Sequence, residues 1–463
     1  MNLKNKKVTV MGIGLHGGSR NMIKWLLEQG AQVIATDIKK EIDLKTTLDK
    51  LKGFKNLKVI AGHHRPEDFQ KVDLVIKNPT VSWSNKYIRI ALKNKIPIEM
   101  DSSIFMKEVK TSKIIGVTGT KGKTTTASLI AEMLENTSEK IFKVGIGQEA
   151  VMDKLKKITA KDWVVFEMSS WRLSGLKKDK ISPKYSLVTN IHPDHLNHYK
   201  SIEDYLEDKK QIYLHQAEND YAVFNYDNLI TRKMGEKAPG RVVFFSDKEI
   251  QSERAVFVKN GKIIVKFEKE EQAICDIKKF GLKGAHNLHN ILGAVAIGYI
   301  LGIDLAKIKK SLLNFKGVVH RLELVKTIKG IDFYNDTTAT TPEAAIAGVN
   351  TFLRPINIII GGSSKKLDPT SFLKKITNSR YVKNILILNS PIAEKIKEQL
   401  VELGGEDKIK GIYSDFNQAI KKAYLEAKKG EIVLLCPGFA SFGMFENEFD
   451  RGRQFKKVVG KLK

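Results

Sequence analysis

Fifteen residues, Gly116 to Ile130 (GVTGTKGKTTTASLI), leave few architectures open to this chain. A β-branched apolar approach meets glycines at 116, 119 and 122, followed by Lys123, three threonines and a run of helical character. A strand that turns this way into a helix makes a cradle for a polyphosphate. The glycines let backbone N–H groups close around phosphate oxygens, and the lysine neutralises charge. A threonine hydroxyl reaches Mg²⁺, and the helix directs its positive end at the anion. The common phosphate loop carries a glycine where Val117 stands here, so this is a shortened GxxGxxGKT relative of it. The chain is therefore expected to be α/β, with a nucleoside triphosphate and magnesium at the end of a strand.

A length of 463 residues and a hydrophobic content of 42% predict about three domains with packed cores. The net charge of +27 first suggests nucleic acid. Lysines are nevertheless scattered, in pairs such as Lys39-Lys40, Lys278-Lys279 and Lys421-Lys422, without a basic tract or interleaved aromatics. Such a pattern describes solvated helix faces, and no nucleic-acid partner is expected. Cys275 and Cys436 stand far apart without a partner motif, which argues against a disulfide framework or a zinc cage. The first residues enter a strand with no apolar signal region, and the longest uncharged apolar run, Ile291 to Ile303, is too short to span a bilayer. A cytoplasmic location without membrane insertion is expected.

Three βα series follow one another. Residues 1–110 open with a strand, a glycine turn, a helix and a second strand; Gly12, Gly14 and Gly17 have G-x-G-x-x-G spacing, and Asp37 stands where an acid can bind ribose hydroxyls. Alone, this Rossmann-like start favours a nicotinamide dehydrogenase. Residues 111–316 hold the phosphate loop, later strands ending at Glu167, Thr189 and Asn225, and antiparallel hairpins over 241–266 around Asn260-Gly261. A helix from Asn287, capped by Gly302, closes this series. Residues 317–463 alternate short apolar strands with helical patterns, a further Rossmann-like series.

Polar residues close several of these strands, where open α/β sheets present ligands. Glu167 is either a magnesium ligand beside Thr124 or a strand-end acid in water. The run Thr189 to His198 spaces three histidines by three, but Pro193 starts a helix among them and no zinc set is completed. His195 is favoured as a ligand or orienting group beside the magnesium. By composition, Lys209 belongs to the solvated face of an ordinary charged helix. Asn287 and Asn290 stand one helical turn apart, suited to a base edge or to helix capping. Farther on, His320-Arg321, Asn335 to Thr341, Gly361 to Lys365 and Pro437 to Phe442 imply a ligand-binding rim, in which the fork of Arg321 suits a phosphate.

In order along nearly the whole chain stand GIGLHGGS at Gly12, TGTKGKTT at Thr118, EMSS at Glu167, NIHPDH at Asn190 and YLEDK ending at Lys209. GAHNLHN at Gly284, HRLE at His320, NDTTAT at Asn335, GGSSK at Gly361 and ASFGMFENEFDRG at Ala440 complete the series. Together they resemble the Mur ligases of peptidoglycan synthesis, in their glutamate-adding branch. The resemblance implies three domains: Rossmann-like, P-loop-type ATPase, and Rossmann-like again. It implies a monomeric ligase using ATP and Mg²⁺ on small molecules, UDP-N-acetylmuramoyl-L-alanine and glutamate, through an acyl phosphate. By the family's motifs, Gly14, Leu15, His16, Asp37, Asn78, Ser170 and Arg172 would hold the UDP-substrate in place of a dinucleotide. Gly119, Thr120, Lys121, Gly122, Lys123, Thr124, Thr125, Asn287, Asn290, Arg321 and Asp336 would bind ATP, Arg321 and Asp336 arriving when the third domain closes. Thr124, Glu167, His195 and a carbamylated Lys209 would hold metal ions, with Lys123, Lys209 and His195 as the catalytic set. Thr340, Lys365, Ser441 and Phe442 would hold the incoming amino acid.

Several positions depart from the family's pattern. Lys121 replaces an asparagine, Asn78-Pro79-Thr80 a Ser-Pro-Gly, and Trp171-Arg172 a Phe-Gln. Gly145-Ile-Gly lacks an asparagine, and Glu448-Phe449 reverses an aromatic-acidic order. Thr338 stands where a lysine commonly meets the amino acid. Most of these changes fall on the amino-acid and muramoyl pockets, while the ATP-binding motifs are largely intact, so the sequence specifies the reaction class more firmly than the enantiomer. The main family's pattern implies D-glutamate, and a variant branch of similar wording that adds L-glutamate is the alternative. A folylpolyglutamate synthase-like ligase lacks a first domain of this kind. A dehydrogenase leaves the phosphate loop without a use, and a nucleic-acid-stimulated NTPase explains only the charge.

Overall fold

Apolar strands alternating with amphipathic helices build three sheets. The computed structural model describes every residue except 15–16, 136, 138, 147–149, 193–198, 200, 280–284, 365–366 and 442, and except the side chains of 285 and 286. Two units form: Met1–Phe280 with Ala285–Phe315, and Lys316–Lys463.

The first unit carries two sheets. β1 (Lys7–Met11), β2 (Gln32–Asp37), β3 (Leu57–Ala61), β4 (Leu74–Lys77) and β5 (Ile98–Glu99) are parallel in the order β3-β2-β1-β4-β5. That order reverses direction beside β1, which opens a crevice between the ends of β1 and β4. The second sheet has β6 (Ile114–Thr118), β7 (Ile141–Val144), β8 (Trp163–Glu167), β9 (Tyr185–Val188), β10 (Tyr221–Asn225) and β11 (Arg241–Ser246). It continues through β12 (Arg254–Lys259), β13 (Lys262–Phe267) and β14 (Glu270–Asp276). Its order is β14-β13-β12-β11-β10-β9-β6-β8-β7. The hairpins expected over 241–266 begin later than the sequence implies, because β11 and β12 continue the parallel sheet and only β12-β13-β14 is antiparallel. Asn260 (φ +50) and Gly261 (φ +71) make the expected tight turn. The two sheets share one core: Phe105, just before the expected boundary at 110, meets Phe166 of β8 edge-on at 5.3 Å.

The second unit is one sheet of β15 (Glu323–Ile328), β16 (Ile331–Asn335), β17 (Ile356–Ile360), β18 (Val382–Leu388), β19 (Ile409–Tyr413) and β20 (Ile432–Leu435), in the order β15-β16-β20-β17-β18-β19. Separate apolar clusters, one around Phe372 and one around Phe333, belong to it. Strand β20 returns between β16 and β17, so the loops after all three emerge side by side. Among the described residues no helix is long and apolar enough to cross a membrane.

Candidate active site

Strand β6 lies between β8 and β9 and hands the loop Gly119–Gly122 to the helix Lys123–Glu135. The loop therefore emerges where strand order reverses. Gly119 and Gly122 take φ of +143° and +86°. A β-carbon on Gly119 would lie 1.9 Å from Thr189 Oγ1, and one on Gly122 would lie 2.0 Å from Asn290 Oδ1. The end of β9 trusses the loop: the Asn190 carbonyl accepts from Thr120 N–H (2.8 Å), Asn190 Oδ1 accepts from Lys121 N–H (3.0 Å), and Thr189 Oγ1 donates to the Lys121 carbonyl (2.6 Å). Lys123 Nζ folds back to donate to the carbonyls of Gly119 and Thr120, each at 3.0 Å. Asn290, buried on the helix Ala285–Ile300, donates from Nδ2 to Asn287 Oδ1 at 3.3 Å and accepts from Thr126 Oγ1 at 3.4 Å.

Glu167 closes β8 in register with Val117 of β6. Its Oε2 is buried with no hydrogen-bond partner. Lys209, on the helix Ile202–Lys210, is 2% exposed and donates to Thr118 Oγ1 (3.0 Å) and the Gly119 carbonyl (2.9 Å). The solvated face that its neighbours suggest is thus corrected, because the helix packs this side chain into the strand-loop junction. A carboxylate oxygen with no partner and the Thr124 hydroxyl in the first helical turn are the oxygen donors that a hard divalent cation takes. The residues present therefore fit Mg²⁺. His195 lies outside the described residues.

At the crevice of the first sheet, Asp37 Oδ2 accepts from the N–H groups of Ile13 (2.8 Å) and Gly14 (3.1 Å). Its Oδ1 accepts from Lys39 N–H at 2.9 Å. This carboxylate shapes the glycine turn. Asn78 lies against Gly12 and donates to Ser19 Oγ at 2.8 Å. Next to it, Lys77 is buried against the Val81 carbonyl (2.7 Å) and the Trp83 ring, and burial pushes its pKa down to about 8. Ser170 is buried at the start of a short helix, and Arg172 pairs with Asp101 at 3.4 Å. Leu15 and His16 lie outside the described residues.

In the second unit, three loops converge on one guanidinium. Arg451 is fully buried in the helix Glu448–Lys461. It donates to Thr337 Oγ1 (3.0 Å) and the carbonyls of Thr337 (3.0 Å), Gly361 (3.4 Å) and Phe439 (3.4 Å), which lie just beyond β16, β17 and β20. Its pKa falls to about 9, chiefly through burial. Asp336, 5% exposed, accepts from Leu322 N–H (3.1 Å) and from the Cys436 thiol (3.6 Å). Burial pushes its pKa up to about 6, against the pull of the Arg321 charge and those two donors. Arg321 is exposed between His320 (φ +69) and Leu322 (φ +45). Left-handed backbone costs such residues about 1–3 kcal/mol each. Thr340 N–H bonds the Thr338 carbonyl at 2.9 Å, and Ser441 Oγ is buried without a partner. Lys365 and Phe442 lie outside the described residues.

The sequence matches the Mur ligase MurD-like N-terminal domain over residues 6–99, the Mur ligase middle domain over 117–298 and the Mur ligase glutamate ligase domain over 320–439. It is 37% identical to the UDP-N-acetylmuramoylalanine–D-glutamate ligase of Roseiflexus sp., over 99% of each chain. The chain belongs to the Mur ligase family. The ligase of the same name from Thermoanaerobacter pseudethanolicus is 36% identical over 100% of each chain. Among solved structures, the UDP-N-acetylmuramate–alanine ligase MurC of Thermotoga maritima superposes with a TM-score of 0.60 at 20% identity, over 99% of this chain and 100% of that one. The MurF ligase of Thermotoga maritima in complex with ADP gives 0.55 at 18%, over 99% and 96%. These two likenesses establish the fold.

For this Mur ligase, sequence reading missed the truss of Thr189 and Asn190, Tyr205, whose hydroxyl lies 3.0 Å from Thr120 Oγ1, and the clasp of Arg451. Asn190, Tyr205 and Arg451 stand inside the family's motifs. Only the strand order shows what they hold.

Proposed function

We propose that this Mur ligase joins D-glutamate to UDP-N-acetylmuramoyl-L-alanine, driven by ATP. The observation that carries the reading is the trussed loop after β6, with Lys123 folded over it and the unpartnered Glu167 Oε2 beside it. The D-glutamate ligases that resemble the chain along its whole length support the choice of substrates. With Thr120 and Lys121 N–H held by Asn190, the other N–H groups of the loop and helix start join Lys123 in holding the β- and γ-phosphates and spreading their charge. Thr124, Glu167, His195 and Lys209 would hold Mg²⁺, which would supply positive charge to offset the repulsion between a carboxylate and a triphosphate. Lys209 serves there as a carbamate, formed when its neutral amine adds carbon dioxide and gives up a proton. Gly14, Leu15, His16, Asp37, Asn78, Ser170 and Arg172 hold the UDP-substrate, whose alanine carboxylate attacks the γ-phosphorus as ADP leaves. The neutral glutamate amine then attacks the acyl carbon and gives up a proton as the amide forms and phosphate departs. We assign Asn287, Asn290, Arg321 and Asp336 to ATP, and Thr340, Lys365, Ser441 and Phe442 to glutamate. The unpartnered Ser441 Oγ supports the latter. The domains divide after residues 110 and 316, and the enzyme works as a monomer in the cytoplasm.

The test supplies UDP-N-acetylmuramoyl-L-alanine, ATP and Mg²⁺ with D-glutamate, L-glutamate or neither. Phosphate release that depends on D-glutamate is expected. Dependence on L-glutamate would reverse the stereochemical choice, and release indifferent to both would sink the reading.

A further inference from the structure

Arg321 contacts ATP in the proposed reaction, and a role for its neighbours rests on that assignment. The turn that presents it is held from its flanks, since His320 and Leu322 both have left-handed backbone. Glu323 Oε2 accepts from His320 N–H at 2.8 Å, and Asp336 Oδ1 accepts from Leu322 N–H at 3.1 Å. The His320 carbonyl takes two donors from a single residue: Thr338 N–H at 3.3 Å and Thr338 Oγ1 at 3.0 Å. Two donors on one carbonyl fix the tilt of the peptide plane that leads into Arg321, and with it the direction of the guanidinium arm. Thr338 stands where the family's pattern commonly has a lysine for the amino acid, yet here its hydroxyl faces the turn.

We propose that Thr338 is a positioning residue for Arg321, acting through the His320 carbonyl, and not a contact to the amino acid. A valine at 338 keeps the shape and the N–H and removes only the hydroxyl donor. In the full-length protein, Thr338→Val is expected to raise KM for ATP about fivefold, the worth of one hydrogen bond, leaving KM for glutamate unchanged, while Thr338→Ser restores the wild-type value. Arg321→Ala is expected to raise KM for ATP as well, and adding Thr338→Val to it changes nothing more, because the second change then has nothing to position.

A shift in KM for glutamate with KM for ATP unchanged would overturn the proposal in favour of a direct amino-acid contact. No shift in either, full additivity with Arg321→Ala, or failure of serine to rescue would overturn it too. Calorimetric titration with ADP separates the role of Thr338 from the glutamate reaction. Wild-type protein that binds ADP but turns over no glutamate refutes the glutamate reaction, whereas equal ADP binding by wild type and Thr338→Val refutes the role of Thr338.

Discussion

A β-carbon on Gly122 would overlap Asn290 Oδ1, and the backbone there has φ +86°. Gly122→Ala is therefore expected to lower kcat/KM for ATP about a hundredfold by displacing the loop, with circular dichroism unchanged; steady-state kinetics on the folded variant checks this. Asp336 makes a prediction about pH. Its folded pKa of about 6 lies above the ordinary 3.8, so between those values the folded state binds the proton more tightly than the unfolded one. The group's contribution therefore improves as pH falls through 6 towards 4, and above 6 burying the carboxylate costs stability. The melting temperature of wild type minus that of Asp336→Asn should rise as pH drops from 7 to 4; a flat difference would mean that Asp336 ionises normally. Local sequence conveys the glycines well because turn chemistry is local. It misleads at Lys209 because neighbours such as Glu207, Asp208 and Lys210 give its helix a solvated composition, and burial is decided by where the helix packs. Spacing puts Asp37 at the right crevice, yet its oxygens face the turn's own N–H groups, a pairing that spacing does not show.

Among the elements, the strands of the second sheet that sequence reading passes over are β7 and β14, and both are edges. Edge strands such as Glu270–Asp276 and Glu323–Ile328 are half solvated and charged, so no continuous apolar run marks them. Central strands, buried on both faces, declare themselves. Turns behave likewise. Asn260-Gly261 is legible, whereas Lys329 (φ +49) and Gly330 (φ +79) make the same kind of hairpin between β15 and β16 without an asparagine to signal it. Since asparagine accepts that backbone more easily than lysine, Lys329→Asn is expected to raise stability by about 0.5 kcal/mol, measured by denaturant midpoint at constant slope.

At the scale of the whole molecule, Lys316–Lys463 has its own sheet and its own apolar clusters. Expressed alone it should unfold in one cooperative transition, checked by calorimetry; a gradual, non-cooperative melt would show that the fragment borrows its core. Its rim is governed by Arg451, whose four donated bonds reach loops from three strands. In the proposed reaction, where this rim takes glutamate, such a shared anchor limits how amino-acid preference can drift or be engineered. Grafting one segment from a relative with different taste leaves the other two tied to a mismatched pivot, so Thr337, Gly361, Phe439 and Arg451 must be transplanted as a set.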